Sequence, residues 1–212
     1  MQPGIDLVFA VVILIVSVIA HEAAHGYAAD WLGDPTARLA GRLTLNPLAH
    51  LDPFGSVVIP ALLVLSGSPL LFGWAKPVPY NPYNLRAKRF GEALVAGAGV
   101  ATNIFLALLF ALGARLAAGE GAATAASFLA TVSFINLFLG LFNLIPFPPL
   151  DGYGVLAGLL PFSLAYPLRQ FEARVRAYGV FALVLFLLAF SYLLAGPFSA
   201  LVLWLFSLLV GA

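Results

Sequence analysis

Apolar positions run through long stretches of this chain without interruption. Residues 7–20 carry one polar side chain, Ser17. A membrane span needs about 20 predominantly apolar residues. Segments 5–29, 92–118, 122–145 and 178–195, with a shorter one at 197–210, fit that requirement or approach it. Segment 54–72 is also apolar, but Pro60, Ser66-Gly67-Ser68 and Pro69 break it. Such breaks are tolerated at membrane depth where the backbone is buried in protein, so 54–72 is read as re-entrant. Residues 37–45 behave differently. Arg38, Ala40, Arg42 and Thr44 alternate with Leu39, Gly41, Leu43 and Leu45, a strand-like period of two. The pattern predicts an all-α polytopic membrane protein of about five transmembrane helices, a re-entrant segment near 54–72 and a small β element near 37–45.

Composition agrees with that class. The chain is 62% hydrophobic and 9% charged, with mean hydropathy +1.03, whereas soluble domains carry about 25% charged residues. A net charge of +1 gives no electrostatic footprint for nucleic acid. Cysteine is absent, so disulfides and thiolate ligands are excluded and any metal must be held by His and carboxylate. The first six residues lack Lys and Arg, unlike the basic start of a cleavable signal peptide, so the first segment is expected to be retained. Loop 74–90 carries Lys76, Arg86, Lys88 and Arg89 without an acid, and 161–178 carries Arg169, Arg174 and Arg176 against Glu172. The positive-inside rule places both on the cytoplasmic side of a cell membrane. With 54–72 re-entrant, the first helix ends on that side too.

His21, Glu22 and His25 stand at that end of the first apolar segment. A charged group at the bilayer centre costs about 2.5–3.5 kcal/mol, so ionisable residues there usually serve a function. Helical positions i and i+4 lie about 40° apart and about 6 Å along the axis. His21 and His25 can therefore hold one ion, with Glu22 beside a water on it, the His-Glu-x-x-His pattern of a zinc hydrolase. A catalytic zinc takes three protein ligands and keeps a fourth position open. Asp151 is the only acid between Glu120 and Glu172, and it follows a helix ended by Pro146, Pro148 and Pro149. One Zn²⁺ per chain against Asp151 and Glu22 makes a neutral cluster, far cheaper to bury than unpaired ions.

His21-Glu22-Ala23-Ala24-His25 in a membrane helix, with Asn143-x-x-Pro146 and Leu150-Asp151-Gly152 ending a later one, resembles the site-2 protease family of intramembrane zinc metalloproteases. Asn46-Pro47-x-x-His50-x-Asp52-Pro53 and Gly73-Trp74-Ala75-Lys76-Pro77 resemble a subgroup that is little more than the membrane core, without PDZ or CBS domains. The resemblance implies a single metalloprotease domain over 1–212, with His21, His25 and Asp151 as zinc ligands and Glu22 as catalytic base. It implies a transmembrane protein substrate in a lipid bilayer, and reads 37–45 as a membrane-associated β-hairpin whose edge takes an unwound substrate strand. The family often has Ala-Gly-Pro before a small residue and Asn; here the run is Ala98-Gly99-Val100-Ala101-Thr102-Asn103.

Other residues leave more than one reading open. Asn143 either contacts substrate or oxyanion, or satisfies carbonyls at a helix end. Asn103 matches the family's Asn, while Asn103 and Asn136 both suit hydrogen bonding between helices. His50 in its Pro-rich turn is expected to bond Asp52. A membrane hydrolase of an amide lipid would use the same ligands, and a non-hydrolytic transporter is the reading from another class.

Overall fold

The computed structural model describes residues 3–58, 61, 62, 65, 75–87 and 89–211. The first helix, α1 (Pro3–Trp31), includes the long apolar run and the His-Glu-Ala-Ala-His motif. A short helix α2 (Thr36–Leu39) follows, then single turns at Pro47–His50, Pro53–Val58 and Pro82–Asn84. Helices α3 (Arg89–Gly119) and α4 (Ala123–Asn143) form a long hairpin, and α5 (Asp151–Leu159) starts just past its open end. The chain closes with α6 (Phe162–Ala177), α7 (Val180–Leu193) and α8 (Ala195–Val210).

Helix α3 is the hub, packed against α1, α4, α5 and α8. Its sequence explains why. Ala107, Ala111 and Ala114 are buried, and small side chains let helix backbones approach where lipid offers no hydrophobic drive. Around Ala107 pack Leu137 of α4 and Val202 of α8, edged by Phe134 and Phe206 with ring centroids 5.2 Å apart. The outer faces show the reverse of a soluble protein. Phe105, Leu112 and Leu116 are 62, 57 and 62% exposed, and Leu185 and Leu188 on α7 are 58 and 62% exposed. A continuous apolar exterior of this kind needs lipid around it, and the protein is an integral membrane protein.

Among the described residues, three helices have the length and apolarity of a span: Val8–Trp31, Phe90–Gly119 and Ala123–Asn143. Helices α6 and α7 meet at 105° and together give at most a fourth. The 14 residues of α7 and 16 of α8 rise about 21 and 24 Å, short of a hydrocarbon core of about 30 Å. The expected fourth and fifth crossings rest on these two short helices. The bend falls at Gly179, whose φ of 53° suits a residue without a side chain.

The expected β-hairpin at 37–45 is not formed, and no strand occurs among the described residues. Ala37 sits fully buried in the notch left by Gly26 of α1, Gly41 turns the chain at φ 65°, and Arg38 pairs with Asp30 of α1. Arg42 is buried and donates to the carbonyls of Lys76 at 2.9 Å and Pro77 at 3.1 Å. These partners lie on α1 and on residues 76–77, so the polar positions are satisfied one by one and not as an edge. Most of the expected re-entrant segment 54–72 lies outside the described residues; within it stand only the rest of the Pro53–Val58 turn and residues 61, 62 and 65.

Residues 75–87 are fastened back onto α1. The Asp34 carboxylate is fully buried and accepts from Thr36 Oγ1 at 2.6 Å, Asn81 N at 2.6 Å and Asn84 Nδ2 at 2.8 Å. Arg86 N donates to Leu32 O at 2.9 Å, and Lys76 N to His50 O at 2.9 Å. Burial alone would raise the Asp34 pKa, but the Thr36, Asn81 and Asn84 donors outweigh it and hold the carboxyl below its ordinary value of 3.8. A depressed carboxylate stabilises the fold above its unfolded-state pKa, and that contribution is lost as pH falls through the folded value. Asp34→Ala strands these donors and is expected to cost about 2 kcal/mol or more at neutral pH. Thermal unfolding in detergent checks it: the gap between wild type and variant should be wide at pH 7 and close toward acid. A gap that persists in acid would assign the effect to packing.

Candidate metal centre

His21 and His25 share one face of α1, their rings crossing at 89° with centroids 4.6 Å apart. Their Nε2 atoms are 3.0 Å apart, and Asp151 Oδ2 lies 2.9 Å from the first and 3.4 Å from the second. The side chains are 8, 12 and 19% exposed, so the group is shielded from solvent.

Asp151 is brought there from 126 positions beyond His25 by the way α4 ends. Pro146, Pro148 and Pro149 supply no amide to continue the helix. The chain folds over itself, Leu150 N reaching Phe147 O at 2.8 Å, and restarts as α5 with Asp151 in its first turn. Gly152 makes the turn possible, because a Cβ there would run into the Leu144 carbonyl. The α3 wall comes equally close. A Cβ on Gly99 would sit 2.5 Å from His25 Nε2 and 2.7 Å from His21 Cε1. Val100 leaves α3 continuous.

Hydrogen bonds decide what the two imidazoles present. His25 Nδ1 is 2.7 Å from Val95 O, and His21 Nδ1 is 2.5 Å from Asn103 Oδ1. A backbone carbonyl only accepts, so His25 carries its proton on Nδ1; Asn103 Oδ1 sets the same tautomer for His21. Both Nε2 lone pairs therefore point toward each other and toward a carboxylate oxygen. Asp151 Oδ2 is buried without a hydrogen-bond donor. With both imidazoles neutral, three acceptor atoms converge here and repel unless a cation joins them. Tetrahedral ligands 2.0–2.1 Å from zinc stand about 3.3–3.4 Å apart, close to the observed 2.9–3.4 Å. The His₂Asp set fits one Zn²⁺, and the three residues are a possible metal-binding group.

Glu22 faces the irregular segment that follows. Its Oε2 accepts the Val78 amide at 2.9 Å. Pro77 and Pro79 bias Lys76 and Val78 toward extended backbone, and Arg42 holds the carbonyls of residues 76 and 77. Asn103 is fully buried, between His21 and Asn136. Asn143 donates from Nδ2 to Leu139 O of its own helix at 3.0 Å. His50 is buried away from the cluster, its Nε2 2.9 Å from Thr44 O. Sequence reasoning missed Val78, whose contribution is a backbone amide and has no residue signature. Asn136 bonds between helices as expected, accepting from Asn103 of α3 and donating to Ser17 of α1.

The family model for Peptidase family M50 matches residues 114–190. "Putative zinc metalloprotease YwhC" of Bacillus subtilis (strain 168) is 37% identical over 204 residues, covering 92% of this chain and 84% of that protein. "Putative zinc metalloprotease Rip2" of Mycobacterium tuberculosis (strain ATCC 25618 / H37Rv) is 35% identical over 207 residues, 95% of this chain and 74% of that protein. The latter alignment leaves too few residues outside it to omit either the 21–25 motif or Asp151. No solved structure matches the chain.

Proposed function

Since the chain belongs to the site-2 protease family, Peptidase family M50, and is a zinc metalloprotease, we propose that it cleaves a peptide bond in or near a transmembrane segment of a membrane protein. The observation that carries this reading is the convergence of His21 Nε2, His25 Nε2 and Asp151 Oδ2 beside Glu22, within a bundle whose exterior is apolar. We read 1–212 as one catalytic domain, with the site toward the cytoplasmic side of a cell membrane, where the basic loops lie.

His21, His25 and Asp151 would hold zinc, and Glu22 would act as general base. When bound, zinc supplies Lewis acidity, acidifying the attacking water and drawing charge from the scissile carbonyl. The Val78 amide occupies Glu22 Oε2 and fixes the side chain, leaving Oε1 to take the proton from the water. Glu22 then returns that proton to the leaving amine. One N–H of Asn143 goes to Leu139; the second proton of the same amide can meet the developing oxyanion. A helical substrate satisfies its own backbone and must unwind before its carbonyl is accessible, so cleavage near a helix-breaking residue is favoured.

The test is reconstitution in liposomes with a single-span protein and, separately, an amide lipid. Chelator-sensitive cleavage mapped by mass spectrometry to the span supports the proposal. Hydrolysis of the lipid alone would move the chain's chemistry to another substrate class, and solute flux without hydrolysis would favour a transporter.

A further inference from the structure

A chain of buried polar side chains leads away from the metal centre through three otherwise apolar helices. His21 Nδ1 on α1 is 2.5 Å from Asn103 Oδ1 on α3. Asn103 Nδ2 donates to Asn136 Oδ1 on α4 at 3.0 Å. Asn136 Nδ2 donates to Val132 O at 2.9 Å and to Ser17 Oγ on α1 at 2.9 Å. Ser17, Asn103 and Asn136 are 3, 0 and 0% exposed, so water cannot substitute for any partner.

The direction of this chain is set at its far end. The Val132 carbonyl can only accept, so the Asn136 amide must turn its NH₂ toward it. Asn136 Oδ1 then faces Asn103, which must donate. Asn103 Oδ1 is thereby turned to His21, which must carry its proton on Nδ1. Had Asn103 the opposite orientation, its NH₂ would face Nδ1, the imidazole proton would move to Nε2, and the three-atom set would lose a ligand. The backbone carbonyl alone decides which atom of the Asn136 amide is the nitrogen.

We propose that Asn136 is a positioning residue for the metal centre: anchored on the Val132 carbonyl, it orients Asn103 and so holds His21 in the tautomer that presents Nε2 to His25 and Asp151. It touches neither metal nor substrate. Groups that orient a ligating histidine typically change metal affinity 10–100-fold when removed. Simple adhesion between helices would leave affinity unchanged, and the same interface supplies a control. Ser133, one turn before Asn136 on α4, is fully buried and donates to Ala107 O of α3 at 2.8 Å, with no link to His21.

The inference rests on the His21, His25, Asp151 zinc site. Zinc affinity is measured by chelator competition on the detergent-purified holoprotein, for wild type, Asn136→Ala and Ser133→Ala. Asn136→Ala is expected to weaken zinc binding 10–100-fold, while Ser133→Ala lowers the unfolding temperature and leaves affinity within about twofold. Equal weakening in both variants, or an unchanged affinity in Asn136→Ala, overturns the proposal. A second readout needs no variant. In ¹⁵N-histidine-labelled wild type stripped of zinc, above the imidazole titration range, the His21 proton should sit on Nδ1; a proton on Nε2 overturns it. A wild type that binds no zinc fails the metal site itself, which separates that failure from this one.

Discussion

Glu22→Gln is expected to keep zinc at the wild-type stoichiometry and to lose peptide hydrolysis by at least about 10²–10⁴-fold, the usual contribution of general acid–base catalysis. The substitution changes almost nothing else. Glutamine has the same length, and its carboxamide oxygen can still accept the Val78 amide that Glu22 Oε2 accepts now. The three residues that would hold zinc are untouched. What disappears is the ability to take a proton from water. Metal content and turnover measured on the same preparation separate the roles; turnover near the wild-type rate would remove Glu22 from the mechanism.

Gly99→Ala should be nearly as damaging, although residue 99 touches neither proton nor metal. The added methyl would stand 2.5 Å from His25 Nε2 and 2.7 Å from His21 Cε1, with both rings wedged between α1 and α3. Either the rings rotate or the helices part, and displacements near 1 Å at a catalytic group cost about 100-fold. Zinc and hydrolysis are both expected to fall. Gly97→Ala, two residues away on the same helix, is the contrast: its nearest new neighbour is Val155 Cγ2 at 3.8 Å, an ordinary contact. If the two variants bind zinc alike, α3 does not confine the imidazoles.

Parts of the site could be read from the chain because they are local. His21 and His25 are one helical turn apart, and a single apolar run places both on one face. Asp151 is distant, yet its isolation as an acid and the prolines before it marked a helix end, and the structure carries it to Oδ2 distances of 2.9 and 3.4 Å. Other features depend on contacts that spacing does not encode. The alternation at 37–45 looked like a strand because period two over nine residues cannot tell an edge from a turn whose Arg42 reaches carbonyls 34 and 35 positions away. The orientation of Asn136 is settled by Val132 within its own helix, but its consequence appears only across 33 residues to Asn103. Apolar content likewise placed a segment at 178–195, but not that its helix, Val180–Leu193, has only 14 residues. The Asp34 fastening of residues 81–84 was silent in the sequence, since an aspartate after a glycine reads as a loop until its donors are seen.

Two motifs more than a hundred residues apart would together hold one zinc. Zinc content per chain, measured on purified wild type beside Asp151→Ala, tests it most directly. About one zinc in wild type and a marked loss in the variant is the predicted result, because two neutral imidazoles without the carboxylate leave a weaker, incomplete site. Full zinc in Asp151→Ala, or none in a folded wild type never exposed to chelator, would contradict it.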